Sequence, residues 1–170
     1  MNKSFNFFTP TQLLFGPGRL EDLKDIAPKY GSKCLLVSRP LQGSLKSTYK
    51  RVEKLLNSAN IEVAFFDEII PNPTIEGIEK GVKIAAKNKV DFVLGVGGGS
   101  VLDSAKLIAL LYHPKGIINW EKAFNSYNHP FNYVASEKYT LPFIAVSTTS
   151  GTGSQCTQAV SYTHLRAHET

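Results

Sequence analysis

Residues 91–106 read Asp-Phe-Val-Leu-Gly-Val-Gly-Gly-Gly-Ser-Val-Leu-Asp-Ser-Ala-Lys, and the reading of this stretch decides the fold. Asp91–Val96 is an apolar run of strand length. After Gly97, Gly98, Gly99 and Ser100, the residues Val101, Ala105, Ile108 and Tyr112 recur at helical spacing until Pro114 stops the helix. A strand that passes through three glycines straight into a helix is half of a β-α-β unit. Glycines at this junction leave the backbone open to close approach, and the first helical turn offers unpaired N–H groups at the positive end of the helix dipole. That combination suits a pyrophosphate, with the Ser100 hydroxyl as an added donor. A plainer reading of the same residues makes Ser100 a helix cap, with Asp103 closing a capping box.

Outward from this junction the same rhythm repeats. Lys33–Val37 and Ile61–Phe66 are strand-length apolar runs, and Leu141–Val146 is a further one. Ser44 precedes a helix with Leu45, Tyr49, Val52 and Leu56 on one face; Thr74 precedes another with Ile75, Ile78, Val82 and Ala85. Thr9–Phe15 is expected as an N-terminal strand. Gly116–Tyr139, rich in Asn and aromatic residues and holding the only Trp, Trp120, breaks the rhythm as a surface excursion. Alternating strands and helices imply a parallel sheet with helices on its faces, so the expected fold is α/β, Rossmann-like.

Two further loops follow strands. Thr148-Thr149-Ser150-Gly151-Thr152-Gly153-Ser154 follows the fourth internal strand. In open parallel sheets ligands sit beyond the carboxyl ends of the strands, so this loop and the triple-glycine loop should face one crevice. Hydroxyls of Thr148, Thr149 and Thr152 suit ribose or phosphate oxygens; the alternative is a polar loop with no ligand. In Pro71-Asn72-Pro73-Thr74 the prolines stiffen the turn. Asn72 reads equally as a ligand contact or as part of a rigid connector.

Composition bounds the rest. The chain has 170 residues, 42% of them hydrophobic, with 10 Phe and 7 Tyr, enough for one domain with its own core. No apolar run reaches the roughly 20 residues that span a bilayer, and the start lacks the pattern of a secretory signal. These readings point to a cytoplasmic protein with no membrane role. The net charge of +5 comes from Lys and Arg dispersed among Glu and Asp. Such a surface suits an anionic cofactor better than nucleic acid. Cys34 and Cys156 stand in unrelated contexts and suggest no disulfide framework. Cys34 reads as a buried free thiol.

Phe15-Gly16-Pro17-Gly18, Pro71-Asn72-Pro73-Thr74, the Gly-Gly-Gly-Ser-x-x-Asp-x-Ala-Lys run of residues 97–106 and the Thr-Thr-Ser-Gly-Thr-Gly-Ser run of residues 148–154 occur here in that order. Together they resemble the iron-containing alcohol dehydrogenase family, in the superfamily of glycerol dehydrogenase and dehydroquinate synthase. The loop at 148–154 favours the dehydrogenase branch over a lyase. The resemblance covers residues 5–159. It implies a dehydroquinate synthase-like N-terminal domain binding NAD or NADP, followed in the family by an all-helical domain. That domain supplies one Asp and three His ligands to iron or zinc. The metal would polarise a small alcohol or aldehyde while hydride moves to or from the nicotinamide.

Carried onto this sequence, the resemblance implies that Gly97, Gly98, Gly99 and Ser100 hold the pyrophosphate. Asn72, Asp103, Thr148, Thr149 and Thr152 would line the rest of the site. Many NAD-using members carry an Asp two positions after the first strand. Here Ser38-Arg39 follows Val37, a pair that suits a 2′-phosphate and favours NADP over NAD. Gln155 stands where the family commonly has Glu.

The expected domain is residues 1–159. Residues 160–170 show no apolar period and no family pattern, and read as a foreign, adapter-like end on a chain truncated before the metal domain. His164 and His168, four apart, are too isolated to make a metal site; His113 and His129 read as surface residues. No metal ligand and no catalytic residue is assigned. A cofactor half of a dehydrogenase, inactive alone and belonging to a complete enzyme that is a homo-oligomer, is the first expectation. A non-catalytic nucleotide-binding module or an inactive gene fragment is the alternative.

Overall fold

The computed structural model describes residues 11–40, 45–126 and 138–157. Four strands, β1 (Lys33–Val37), β2 (Glu62–Phe66), β3 (Phe92–Gly97) and β4 (Phe143–Ser147), form one sheet in the order β2-β1-β3-β4. Every pairing is parallel, with Leu35 opposite both Ala64 and Val93, and Leu94 opposite Ile144. The helices are α1 (Leu23–Ile26), α2 (Lys46–Ser58), α3 (Ile75–Asn88), α4 (Gly99–Leu110) and α5 (Trp120–Ser126). The expected α/β class holds.

Central strands of a parallel sheet are covered on both faces, and their sequences show it as unbroken apolar runs. All six residues of β3 are buried, and Cys34–Val37 of β1 are fully so. Leu35 and Val37 point into a core shared with α3 and α4, while Cys34 and Leu36 point into a second core shared with α1 and α2. The outer strands β2 and β4 are only partly covered.

Two glycines let elements approach closely. A Cβ on Gly81 of α3 would stand 2.3 Å from Ile108 Cδ1, and one on Gly95 of β3 would stand 2.9 Å from Ala105 Cβ of α4. α4 is accordingly apolar nearly all round, with Val101, Leu102, Ala105, Leu107, Ile108 and Ala109 buried.

Several local expectations need correction. Residues 11–15 of the expected N-terminal strand pair with no strand among the described residues, and Leu13 and Phe15 are exposed; Thr9 and Pro10 lie outside the described residues. Ser44 also lies outside them, and Leu45 occupies the N-cap of α2. α4 ends at Leu110, leaving Tyr112 beyond the helix that Pro114 was expected to stop. The strands β2, β3 and β4 begin one or two residues later than expected. In each case backbone pairing, not the apolar pattern, sets the end of the element.

The excursion after α4 contains a helix of its own. Trp120 of α5 donates from Nε1 to Glu79 Oε1 of α3 at 2.9 Å, and its ring lies against the α3–α4 core. Residues 127–137, with His129, lie outside the described set. Thr74 caps α3 as expected, accepting from the Gly77 amide at 3.1 Å.

Candidate functional site

The strand order places a topological switch between β1 and β3: the chain leaves β1 towards β2 and leaves β3 towards β4. Crevices of open α/β sheets form at such a point, beyond the carboxyl ends of the two strands. Ser38-Arg39 follows β1 there, and Gly97-Gly98-Gly99 follows β3. The two features singled out in the sequence thus flank one switch point.

The glycine turn is built for close approach. Gly98 is the N-cap of α4, in extended conformation and without a side-chain cap, and the helix begins at Gly99. Ser100 therefore sits in the first helical turn. The capping box that the plainer reading gave Ser100 and Asp103 does not form. The Ser100 carbonyl instead accepts from the Ser104 hydroxyl at 2.8 Å. The first intrahelical bonds run from the Val101 and Leu102 amides to the Gly98 carbonyl, at 3.0 and 3.1 Å. Gly99 and Ser100 precede them, so their amides belong to the orphan donors of a helix start, where the macrodipole favours an anion.

The Thr148–Ser154 loop lies against this turn. The Thr148 amide donates to the Gly97 carbonyl at 3.0 Å. A Cβ on Gly98 would stand 3.1 Å from Thr149 Oγ1, and one on Gly99 would stand 3.1 Å from Thr152 Cγ2 and 3.2 Å from Ser154 Oγ. The loop's own bend uses Gly151 and Gly153, at φ of 110° and 67°. The Thr149 hydroxyl, the Thr152 methyl, the glycine backbone and the start of α4 are brought together, while Thr152 Oγ1 accepts from the Ser154 amide. Ser154, 5% exposed beside Gly99, was not singled out in the sequence, because its neighbour is set by the fold.

Asp103 is buried one turn into α4, and its Oδ1 lies 2.9 Å from the ammonium of Lys106. Lys106 also donates to the Thr157 carbonyl at 3.0 Å. Gln155 carries its Oε1 buried without a hydrogen-bond partner among the described residues.

At the end of β1 the two candidate residues part company. Ser38 is fully buried, and its hydroxyl donates to the Arg39 carbonyl at 3.0 Å, while Arg39 is exposed. Arg39 lies beside Tyr49 of α2. Burial pushes the Tyr49 phenol above its ordinary 10.0, with the Arg39 backbone and guanidinium pulling the other way. Asn72 is exposed on the β2–α3 connection at φ 61°. A groove of about 250 Å³ runs between that connection and α4, lined by Ile69, Ile70, Pro73, Thr74 and Ser104 among others. Asn72 is not among its lining residues.

Among the described residues no three His, Cys, Asp or Glu side chains gather as a metal site requires. His113 stacks edge-on against Tyr139, ring centroids 4.8 Å apart. His164 and His168 lie outside the described residues. No helix among those described is long and apolar enough to cross a membrane.

Comparison with known proteins agrees with this fold. The family model described as iron-containing alcohol dehydrogenase matches residues 10–170, a range that includes the end at 160–170 which the sequence reading set apart. Alcohol dehydrogenase 4 of Saccharomyces cerevisiae is 34% identical over 159 residues, covering 93% of this chain and 39% of that protein. An NADPH-dependent butanol dehydrogenase of Clostridium saccharobutylicum is 32% identical over 155 residues, 89% of this chain and 37% of its own. Among solved structures, the NADH-dependent butanol dehydrogenase A of Thermotoga maritima matches with a TM-score of 0.70 at 33% identity. That match covers 89% of this chain and 36% of that one. The chain spans about two fifths of the length of the curated relatives it matches. On the match of the family model across nearly all of its residues, the chain belongs to the iron-containing alcohol dehydrogenase family.

Proposed function

We propose that this chain supplies the dinucleotide-binding part of an NAD(P)-dependent dehydrogenase that moves hydride between the nicotinamide and a small alcohol or aldehyde. The observation that carries the reading is the seating of Thr149 and Thr152 against Gly98 and Gly99 at the uncapped start of α4. The pyrophosphate takes the amides of Gly99 and Ser100, with Gly97 and Gly98 leaving the approach free of side chains. Thr148, Thr149 and Thr152 line the ribose side, Asp103 lies beneath the turn, and Asn72 is assigned to the site on the family resemblance alone. The bound dinucleotide would supply the hydride chemistry; the residues present bind and orient it. Among the described residues no side-chain group fits the Asp and three His that the family resemblance implies for iron or zinc.

We infer a preference for NADP from Arg39. With the Ser38 hydroxyl turned back onto the Arg39 carbonyl, the guanidinium is the member of the pair offered to a 2′-phosphate. Similar proteins whose names specify NADPH and NADH both occur, so this choice rests on Arg39 itself. Fluorescence titration of the chain with NADPH and with NADH tests both statements. Saturable NADPH binding is expected, and Arg39→Ala should weaken it by roughly tenfold or more, the weight of one charge-assisted bond, while leaving NADH unchanged. Absence of binding to either dinucleotide would reject the site. Equal loss for NADPH and NADH would reject the role of Arg39.

A further inference from the structure

Long, flexible lysine side chains normally keep their ammonium in water, and are buried only when paired. The side chain of Lys106 is 15% exposed and that of Asp103 is 8% exposed, with 2.9 Å between Nζ and Oδ1. The same ammonium reaches across to the Thr157 carbonyl, 51 positions further along the chain, at 3.0 Å. Lys106 therefore joins two elements that no strand pairing connects at this end: the second turn of α4 and the far end of the loop after β4.

Hydrogen bonds among the described residues fasten that loop at both ends. At its start the Thr148 amide holds the Gly97 carbonyl, and at its end Thr157 is held by Lys106. Thr157 is no loose end. Its amide and that of Cys156 both donate to the Gly153 carbonyl, at 3.2 and 2.8 Å, which closes a turn around Ser154. Ser154 in turn donates its amide to Thr152 Oγ1 at 3.3 Å. A pull on Thr157 is thus transmitted through the Gly153–Thr157 turn to Ser154 and Thr152, the two residues seated against Gly99. Between the fastenings, Gly151 and Gly153 leave the backbone without stiffness of its own.

Charge adds a second effect at the same place. Asp103 puts a carboxylate in the first turns of α4, beside the helix start where an anion is to bind. An ammonium 2.9 Å away cancels most of its field, so the start of α4 keeps its attraction for phosphate oxygens.

We propose that Lys106 is a positioning residue of the nucleotide site, clamping the loop after β4 onto α4 and so holding Thr152 and Ser154 over the glycine turn. The consequence for affinity rests on the dinucleotide reading given above; the clamp itself does not.

The test compares the chain with Lys106→Met, which keeps the length of the side chain and removes its charge, and Lys106→Arg, which keeps the charge and the donors. Two readouts are taken: NADPH affinity by fluorescence, and hydrogen exchange of the Cys156 and Thr157 amides. Lys106→Met should weaken NADPH by about tenfold, the loss of one charge-assisted bond. It should also speed exchange at Cys156 and Thr157, with β1 and β3 amides unchanged. Lys106→Arg should restore both, which a general loss of stability would not allow. Should the unaltered chain bind no NADPH, the dinucleotide reading fails, and the exchange data still judge the clamp. Exchange at Cys156 and Thr157 that is the same in Lys106→Met and the unaltered chain overturns the proposal. If Lys106→Met does not fold, Lys106→Gln at the same two readouts decides it by the same criteria.

Discussion

Placing a methyl group on Gly95 probes the packing on which the glycine turn rests. Gly95 is buried in β3, and a Cβ there would lie 2.9 Å from Ala105 Cβ, 3.2 Å from Leu102 Cδ2 and 3.3 Å from Phe143 Cε2. Carbon atoms prefer about 3.5–4.0 Å. Leu102 and Phe143 can give by small torsions. Ala105 Cβ is fixed to the backbone of α4, so the whole helix must retreat by somewhat under about 1 Å. Overpacking of this kind costs about 1–3 kcal/mol. Removing a strand glycine offsets about 0.5–1 kcal/mol of that. With both terms at the middle of their ranges, Gly95→Ala should lose about 1 kcal/mol net, or roughly 2–4 °C in thermal midpoint for a chain of this size. Because α4 is rigid and starts at Gly99, the retreat also moves the Gly99 and Ser100 amides, and NADPH affinity should fall with stability. Thermal unfolding followed by far-UV circular dichroism and NADPH titration read the two effects. A midpoint at or above that of the unaltered chain would refute the reasoning, since it would mean that the gap between β3 and α4 closes without strain.

A helix cap gives a milder and opposite pair. Thr74→Ala removes the acceptor for the Gly77 amide and should cost about 1 kcal/mol. Gly77→Ala, whose Cβ would meet only Thr74 Oγ1 at 3.3 Å, should gain up to about 1 kcal/mol of helix propensity. Urea midpoints that move in the same direction for both would contradict the assigned start of α3. Alkaline pH tests the sheet interior. Burial pushes the Cys34 thiol far above its ordinary 9.0, against a smaller pull from the Leu94 backbone. Its contribution is present below about pH 9 and is lost as pH rises beyond, because the unfolded chain releases the proton first. The slope approaches about 1.4 kcal/mol per pH unit. Burial also raises the phenols of Tyr49 and Tyr112 from 10.0, which steepens the loss above pH 10. Urea midpoints from pH 8 to 10.5 should decline, and Cys34→Ala should delay the onset; a flat profile would contradict the burial. In native protein a thiol reagent should find the exposed Cys156 and spare Cys34.

Much of the candidate site was legible because its signals are local. The run from Asp91 to Lys106 carries its strand, turn and helix in adjacent residues, and each can be read from apolar spacing and glycine content alone. The pairing of the Thr148–Ser154 loop with that turn was also reachable, since both follow parallel strands and so emerge at the same end of the sheet. The end of β1 was harder. Ser38 and Arg39 are equal candidates by chemistry, and only the fold shows Ser38 buried with its hydroxyl spent on a carbonyl. The alternative reading of Ser100 is decided in the same way: a Ser three residues before an Asp matches a capping box, yet β3 runs straight into α4 and leaves Gly98 in the cap position.

The sequence by itself determined that strands alternate with helices, that the sheet is parallel, and that a glycine turn opens α4. These depend on spacing within about a dozen residues, which chain chemistry dictates directly. The strand order β2-β1-β3-β4, the switch point it creates and the reach of Lys106 to Thr157 were decided only by the tertiary structure. The physical reason is separation along the chain: which strand lies beside β1, and which carbonyl meets an ammonium 51 positions away, is settled by packing two helical layers onto one twisted sheet.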